Sequence, residues 1–207
     1  MPTKSFTKFK KTIGRCMELV TTYETLNQLH SNGQGSIASK DIIRAAVVLA
    51  VAALDAYATD AFAEKLVPYL KKHKPDQSLI DLLQKAGLDT KEALTLLAME
   101  RPFRRIRTLI ANHHSTYTTQ RFEVIDQLFL PFRLKKFTQN AEAKSKKKLL
   151  KASVENLISR RHEIVHDGDY TAHGKIKDIE PNVIRKRIIQ LESLVTCMDQ
   201  VLCARIS

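Results

Sequence analysis

Residues 45–58 read Ala45-Ala46-Val47-Val48-Leu49-Ala50-Val51-Ala52-Ala53-Leu54-Asp55-Ala56-Tyr57-Ala58. Wound at about 3.6 residues per turn, this stretch is apolar on nearly every side, and it shows no strand-like alternation. A helix of that kind is one surrounded by other helices. The uninterrupted run from Ala45 to Leu54 is ten residues long, about half of the ~20 that a membrane span requires, so the reading is core and not membrane. Asp55 stands out within it. A buried carboxylate is costly without a partner, so Asp55 calls for a cation, with Arg161 or His166 as candidates, for a structural ion pair with another Arg, or for the helix's one wet edge.

Working outward, a helix over about 39–72 contains the stretch, with Ser39 as N-cap. Before it, 5–30 has Ile13, Met17, Val20, Tyr23, Leu26 and Leu29 near helical spacing, and Ser31-Asn32-Gly33-Gln34-Gly35-Ser36 breaks the chain. After it come shorter helices near 76–86, ended by Gly87, near 90–99, opened by Asp89 or Thr90, and near 101–113 and 119–130. Residues 139–148 lack an apolar stripe and read as an exposed loop or frayed helix start. A helix then covers 148–166, Asp167-Gly168-Asp169 terminates it, and Pro181 opens a last one through about Ala204. The expected fold is all-α: a single domain over 1–207, a bundle of four long helices with 73–140 inserted as a helical region between the second and third. Composition agrees, since 207 residues at 43% apolar, with six Gly, six Pro and no Trp, exclude wholesale disorder and argue against a turn-rich β sandwich.

The net charge is +12 and unevenly placed. Residues 1–15, 101–121 and 133–151 hold 18 of the 34 basic residues and a single acid, Glu142, so the three segments carry +17 and everything else −5. Such segregation is the footprint of a polyanion-binding face, because pairing with phosphates releases counterions; a solvated helix face is the plainer alternative. The candidate contacts are Arg104, Arg105 and Arg107, and Lys144, Lys146, Lys147, Lys148 and Lys151. Cys16, Cys197 and Cys203 show no paired spacing and sit in helical patterns, as expected of buried thiols in a reducing cytoplasm. The basic N-terminus lacks the apolar region of an export signal.

Residues 160–168, Arg160-Arg161-His162-Glu163-Ile164-Val165-His166-Asp167-Gly168, are the most pointed stretch. They contain His-Glu-x-x-His, in which two His one helical turn apart can bind zinc and the Glu can activate water. The context opposes that use: Asp169 and Ala172 stand where a metzincin needs Gly and His, and the cations Arg160 and Arg161 flank the proposed dication site. A zinc peptidase is therefore the remote alternative.

The same residues fit Arg161, four residues, His166, at the end of a helix. Here the sequence resembles the HEPN superfamily, whose members are short helical bundles with an Arg-x(4 to 6)-His signature late in the third core helix. The resemblance extends to Leu54-Asp55-Ala56-Tyr57 and to the amphipathic C-terminal helix, looks most like the RiboL-PSP-HEPN branch, and leaves 73–140 unmatched. It implies metal-independent RNA cleavage with no cofactor, often in toxins and antiviral defence, by a homodimer whose two motifs face each other. An antitoxin or sensor protein is a possible further partner. Arg161 and His166 are then catalytic: His is the side chain whose unperturbed pKa lies near neutrality, and Arg offers a permanent planar fork to phosphate oxygens. His162, Asp55 and Arg160 are supporting residues, His162 occupying the polar position after the Arg. The alternative within the family is a non-catalytic RNA- or nucleotide-binding scaffold. Some HEPN toxins carry a Tyr two residues after the His; Gly168 stands there, and the nearest Tyr is Tyr170. His113 and His114, beside Arg107 and Tyr117, read as RNA contacts or as a solvated loop. The Lys-rich stretch leads straight into the motif helix, so it should lie within reach of RNA entering the cleft.

Overall fold

The computed structural model describes residues 1–29, 37–114 and 121–206. Among these the chain forms nine α-helices and no strand: α1 (Lys4–Leu29), α2 (Ile37–Lys72), α3 (Gln77–Lys85), α4 (Thr90–Leu97), α5 (Pro102–His114), α6 (Phe122–Phe129), α7 (Phe137–Ser145), α8 (Leu150–His166) and α9 (Pro181–Ile206), with a 3₁₀ turn at Leu130–Phe132. The four long helices are α1, α2, α8 and α9, and the expected all-α bundle is what the chain builds. The Ser31–Ser36 break lies outside the described residues.

Local chemistry sets several of the helix ends. Asp76 Oδ1 accepts the Leu79 N–H at 3.0 Å and Asp89 Oδ1 that of Glu92 at 2.7 Å, each capping a first turn. Gly87 takes φ +97° just beyond α3, and Pro102 and Pro181 are the first residues of α5 and α9. One expectation is corrected: α2 begins at Ile37, so Ser39 lies inside its first turn and not at its cap.

α1 and α2 form an antiparallel hairpin. Lys8 pairs with Asp60 at 2.8 Å, while Glu64 accepts the Lys4 and Ser5 N–H groups at 2.9 and 3.0 Å and so caps α1 from the neighbouring helix. Partial burial pushes the Glu64 carboxyl up, but these bonds and that of the Ser5 hydroxyl outweigh it and hold it below the usual carboxylate range. Asp199, buried on α9, accepts the Thr3 N–H at 3.2 Å and the Thr3 hydroxyl at 2.5 Å, and the Tyr57 hydroxyl at 3.4 Å. Burial, reinforced by Asp199, pushes the Tyr57 phenol up. One carboxylate thus ties the start of α1, the middle of α2 and α9 together.

α2 is the axis of the molecule. By length and composition it could cross a membrane, with mean hydropathy 1.8 over its best window, 56% of that window being buried inside the bundle. Ile43, Val47, Ala50, Val51, Leu54 and Tyr57 are all buried. The helix is nevertheless not enclosed on every side, as its composition suggested: Ala45 and Ala52 are exposed, Val48 and Leu49 only half-buried, and they line a groove with Leu19 and Ile164. Small side chains make the strip apolar without giving it much to bury.

Residues 73–140 dock onto this frame through aromatic rings. Phe62 of α2 stacks on Phe132 at 4.5 Å between centroids, Tyr69 lies 4.9 Å from the same ring, and Phe129 lies 4.5 Å from Phe137. Phe137 opens α7, a helix where a loop or frayed start was expected. Its stripe is narrow, only Phe137, Thr138 and Ala141 being buried, and packing on α9 together with an Asp126 cap on the Thr138 N–H at 2.7 Å holds it helical. Tertiary contact overrides a weak local pattern here. Phe132→Ala should cost about 3–5 kcal/mol by opening a cavity among these rings, read as a lower urea midpoint at unchanged slope.

Candidate active site on the third long helix

α8 divides its chemistry between two faces. Glu155, Ser159, His162 and His166, spaced i, i+4, i+7 and i+11, share a face and, with Arg161 beside them, form one wall of a cleft of about 720 Å³. The opposite wall is the start of α6, from Arg121 to Val124. Arg121 is the N-cap of α6 in an extended conformation and makes no side-chain capping bond, so the first-turn N–H groups and the positive end of that helix are directed at the same space. The His162 and His166 rings lie 4.3 Å apart between centroids at 37°, both exposed to solvent, and Arg161 is half-buried. Two imidazoles and two guanidiniums thus converge, an array suited to holding a phosphodiester and moving protons around it.

The other face is structural. Arg160 places Nη1 2.9 Å from Glu163 Oε2 and 2.5 Å from Asp169 Oδ1, and donates from Nη2 to Asp169 Oδ2 at 2.8 Å. Arg44 of α2 donates Nε to Asp169 Oδ2 at 2.5 Å and Nη2 to the Lys177 carbonyl at 2.7 Å, while Lys177 Nζ pairs with Glu163 at 3.0 Å. Arg44 and Asp169 are 7% and 2% exposed, so the pair is desolvated and depends on these bonds. Arg160, expected to support the site, belongs to this network instead. Glu163 belongs to it too, which removes the water-activating residue that a zinc peptidase would need from the side carrying the two His. Among the described residues no three His, Cys, Asp or Glu side chains converge as metal ligands.

The network grips the turn that ends α8 immediately after His166. Gly168 and Asp169 both adopt left-handed backbone, φ +63° and +64°. A Cβ on Gly168 would come within 3.2 Å of the Tyr170 ring, so a side chain there would be crowded as well as conformationally strained. The Asp167 and Asp169 N–H groups both return to the Glu163 carbonyl, at 3.0 and 3.2 Å.

The remaining expected residues are scattered. Asp55 is half-buried on α2 and is not on the cleft wall. Of the Lys-rich stretch, Lys151 reaches the cleft's edge, its Nζ 5.1 Å above the Phe122 ring, whereas Lys147 donates to Ser193 on α9 at 3.1 Å; Lys144, Lys146 and Lys148 are exposed around the α7–α8 junction. Arg105 is paired with Glu92 at 2.6 Å, Arg104 is exposed, and Arg107 lines a different groove. His113 is on α5; Tyr117 and the His114 side chain lie outside the described residues. Residue-by-residue reading missed Arg121, Glu155, Ser159, Arg44 and Lys177. The i, i+4, i+7 spacing could have found Glu155 and Ser159, but nothing linear joins residue 44 to 169 or 121 to 161.

Asp169→Ala should cost about 3–5 kcal/mol, because it removes the buried carboxylate shared by Arg44 and Arg160 and leaves the buried Arg44 only the exposed Asp41 carboxylate at 3.2 Å, and thermal unfolding will measure it. Glu163 gives a pH signature. The hydrogen bond from Lys177 above all, then that from Arg160, holds its carboxyl below the usual range against partial desolvation. Its contribution is therefore present above the unfolded value near ~4.3 and is lost as pH falls through the lower folded value. The stability advantage of wild type over Glu163→Gln should accordingly shrink on acidification, in urea titrations across that range.

Compared with known families, residues 13–204 match RiboL-PSP-HEPN. No curated protein and no solved structure matches the chain. The match covers α2 and α8 whole and most of α1 and α9, includes the Arg161–His166 segment on the cleft wall, and the chain therefore belongs to the RiboL-PSP-HEPN family of the HEPN superfamily.

Proposed function

We propose that the protein is a metal-independent endoribonuclease, acting as a toxin or defence protein in the cytoplasm. The observation that carries this reading is the meeting of Arg161, His162 and His166 with Arg121 in one cleft. One imidazole takes the proton of a 2′-hydroxyl, the 2′-oxygen attacks phosphorus, the bond to the 5′-oxygen breaks, and a second acid protonates that oxygen. The products are a 2′,3′-cyclic phosphate and a 5′-hydroxyl. Arg161 holds the non-bridging oxygens while negative charge builds on them. His162, against the His166 ring, fixes that ring's orientation.

The second His166 comes from a second copy. Val165 beside the motif is 47% exposed, and Val183 and Ile189 on α9 are 42% and 45% exposed, an apolar lining on the third and fourth long helices that supports a homodimer with its axis there. An antitoxin or sensor protein would restrain the activity by covering the same cleft.

With chelator present, the purified protein should cut RNA to cyclic-phosphate ends, and His166→Ala should lose about 10²–10⁴-fold in rate. Equal binding by both proteins with no cyclic-phosphate ends would identify a non-catalytic RNA-binding module instead.

A further inference from the structure

Two of the basic segments lie about a hundred residues apart in sequence but meet on a second surface. Lys4 and Lys8 of α1 and Arg107 of α5 line one groove, together with Asp60 and Glu64 of α2. Both acids are engaged locally, Asp60 with Lys8 at 2.8 Å and Glu64 with the N–H groups that begin α1. The basic charge on α1 continues beyond the groove. Lys4, Lys8, Lys11 and Arg15 are spaced i, i+4, i+7 and i+11, so they form one exposed stripe along α1. Among the described residues, Lys4, Lys11, Arg15, Arg104 and Arg107 form no ion pair.

From Lys4 to Arg15 this stripe runs about 16 Å at ~1.5 Å per residue, long enough to follow a few consecutive phosphates of one strand. None of its residues lines the Arg161–His166 cleft, and none has a base-reading arrangement of paired amides or aromatic platforms. We propose that α1 and α5 form a second binding face for the phosphate backbone of a single nucleic-acid strand, sequence-independent and separate from the cleft. The choice of nucleic acid as the polyanion rests on the nuclease reading of the cleft; the face itself rests on the placement of its charges.

The test is binding of a labelled single-stranded RNA, and of DNA of the same sequence, by full-length protein in a His166→Ala background over a range of salt. Lys11→Glu/Arg15→Glu/Arg107→Glu should weaken both at least tenfold and flatten the slope of log affinity against log salt by about 2, at ~0.7 for each phosphate no longer neutralised. The corresponding Gln variant, milder to the fold, should shift both in the same direction. Lys74→Glu/Lys85→Glu/Lys91→Glu makes the same change in net charge elsewhere and should leave the slope near the parent value. An unchanged slope in the first variant, or an equal weakening in the control, overturns the proposal, as does a loss of binding to phosphatidylserine vesicles with RNA binding intact. Cleavage is not read in this assay. Failure of the nuclease reading therefore leaves the binding result standing, and failure of this face leaves cleavage by the His166-containing protein untouched.

Discussion

The site depends on one buried carboxylate held between two guanidiniums. Asp169 receives Arg44 from α2 and Arg160 from α8, so the loop after the motif helix is fastened both to the helix it leaves and to the axis of the bundle. Burying such charges is expensive, and hydrophobic residues of similar size would often be as stabilising. What the ions supply is direction. A left-handed turn at Gly168 and Asp169 has few ways to be satisfied, and two converging guanidiniums select one of them. With the turn held, α8 must present Arg160 and Glu163 to the interior network and Glu155, Ser159, His162 and His166 to the cleft. A rotation of α8 by one residue would exchange the structural face for the chemical one.

Residues 73–140 serve the same end from the other side. α6 reaches the cleft because Phe129, Phe132 and Phe137 interlock with Phe62 and Tyr69, a contact made of rings on α2, at the end of α6 and in the segment after it. The result sets Arg121 opposite Arg161. Packing thus lets this region complete the cleft wall and bring the Arg121 guanidinium to it.

The basic charge is shared between surfaces. Arg121 and Lys151 belong to the cleft, Lys4, Lys8 and Arg107 to a groove between α1, α2 and α5, and Lys147 to α9. Segment-level charge raised the expectation of an anionic partner but could not assign it to one site, since neighbours on a helix alternate faces every two or three residues. A polymer can use several such patches at once, whereas a small anion would use only the cleft.

The helices, their caps and the pair Arg161–His166 were legible in the sequence because each is a local pattern: a period near 3.6, an Asp before a first turn, a Pro or Gly at an end, two residues five apart. Asp55 was left between a buried ion pair and the wet edge of its helix, because its neighbours are all apolar, and only the fold sets it at a half-buried place on α2. α7 read as a loop or a frayed start because two buried apolar residues on a nine-residue helix make no visible period, and it is held by α9, Asp126 and the Phe129 ring. The sequence by itself determined an all-α bundle and the residues able to do chemistry. The tertiary structure alone decided that Arg160 and Glu163 are scaffold, that Arg44 and Asp169 hold the turn beyond His166, and that Arg121 faces Arg161, because an ion pair or a cleft wall joins residues whose separation along the chain says nothing of their distance in space.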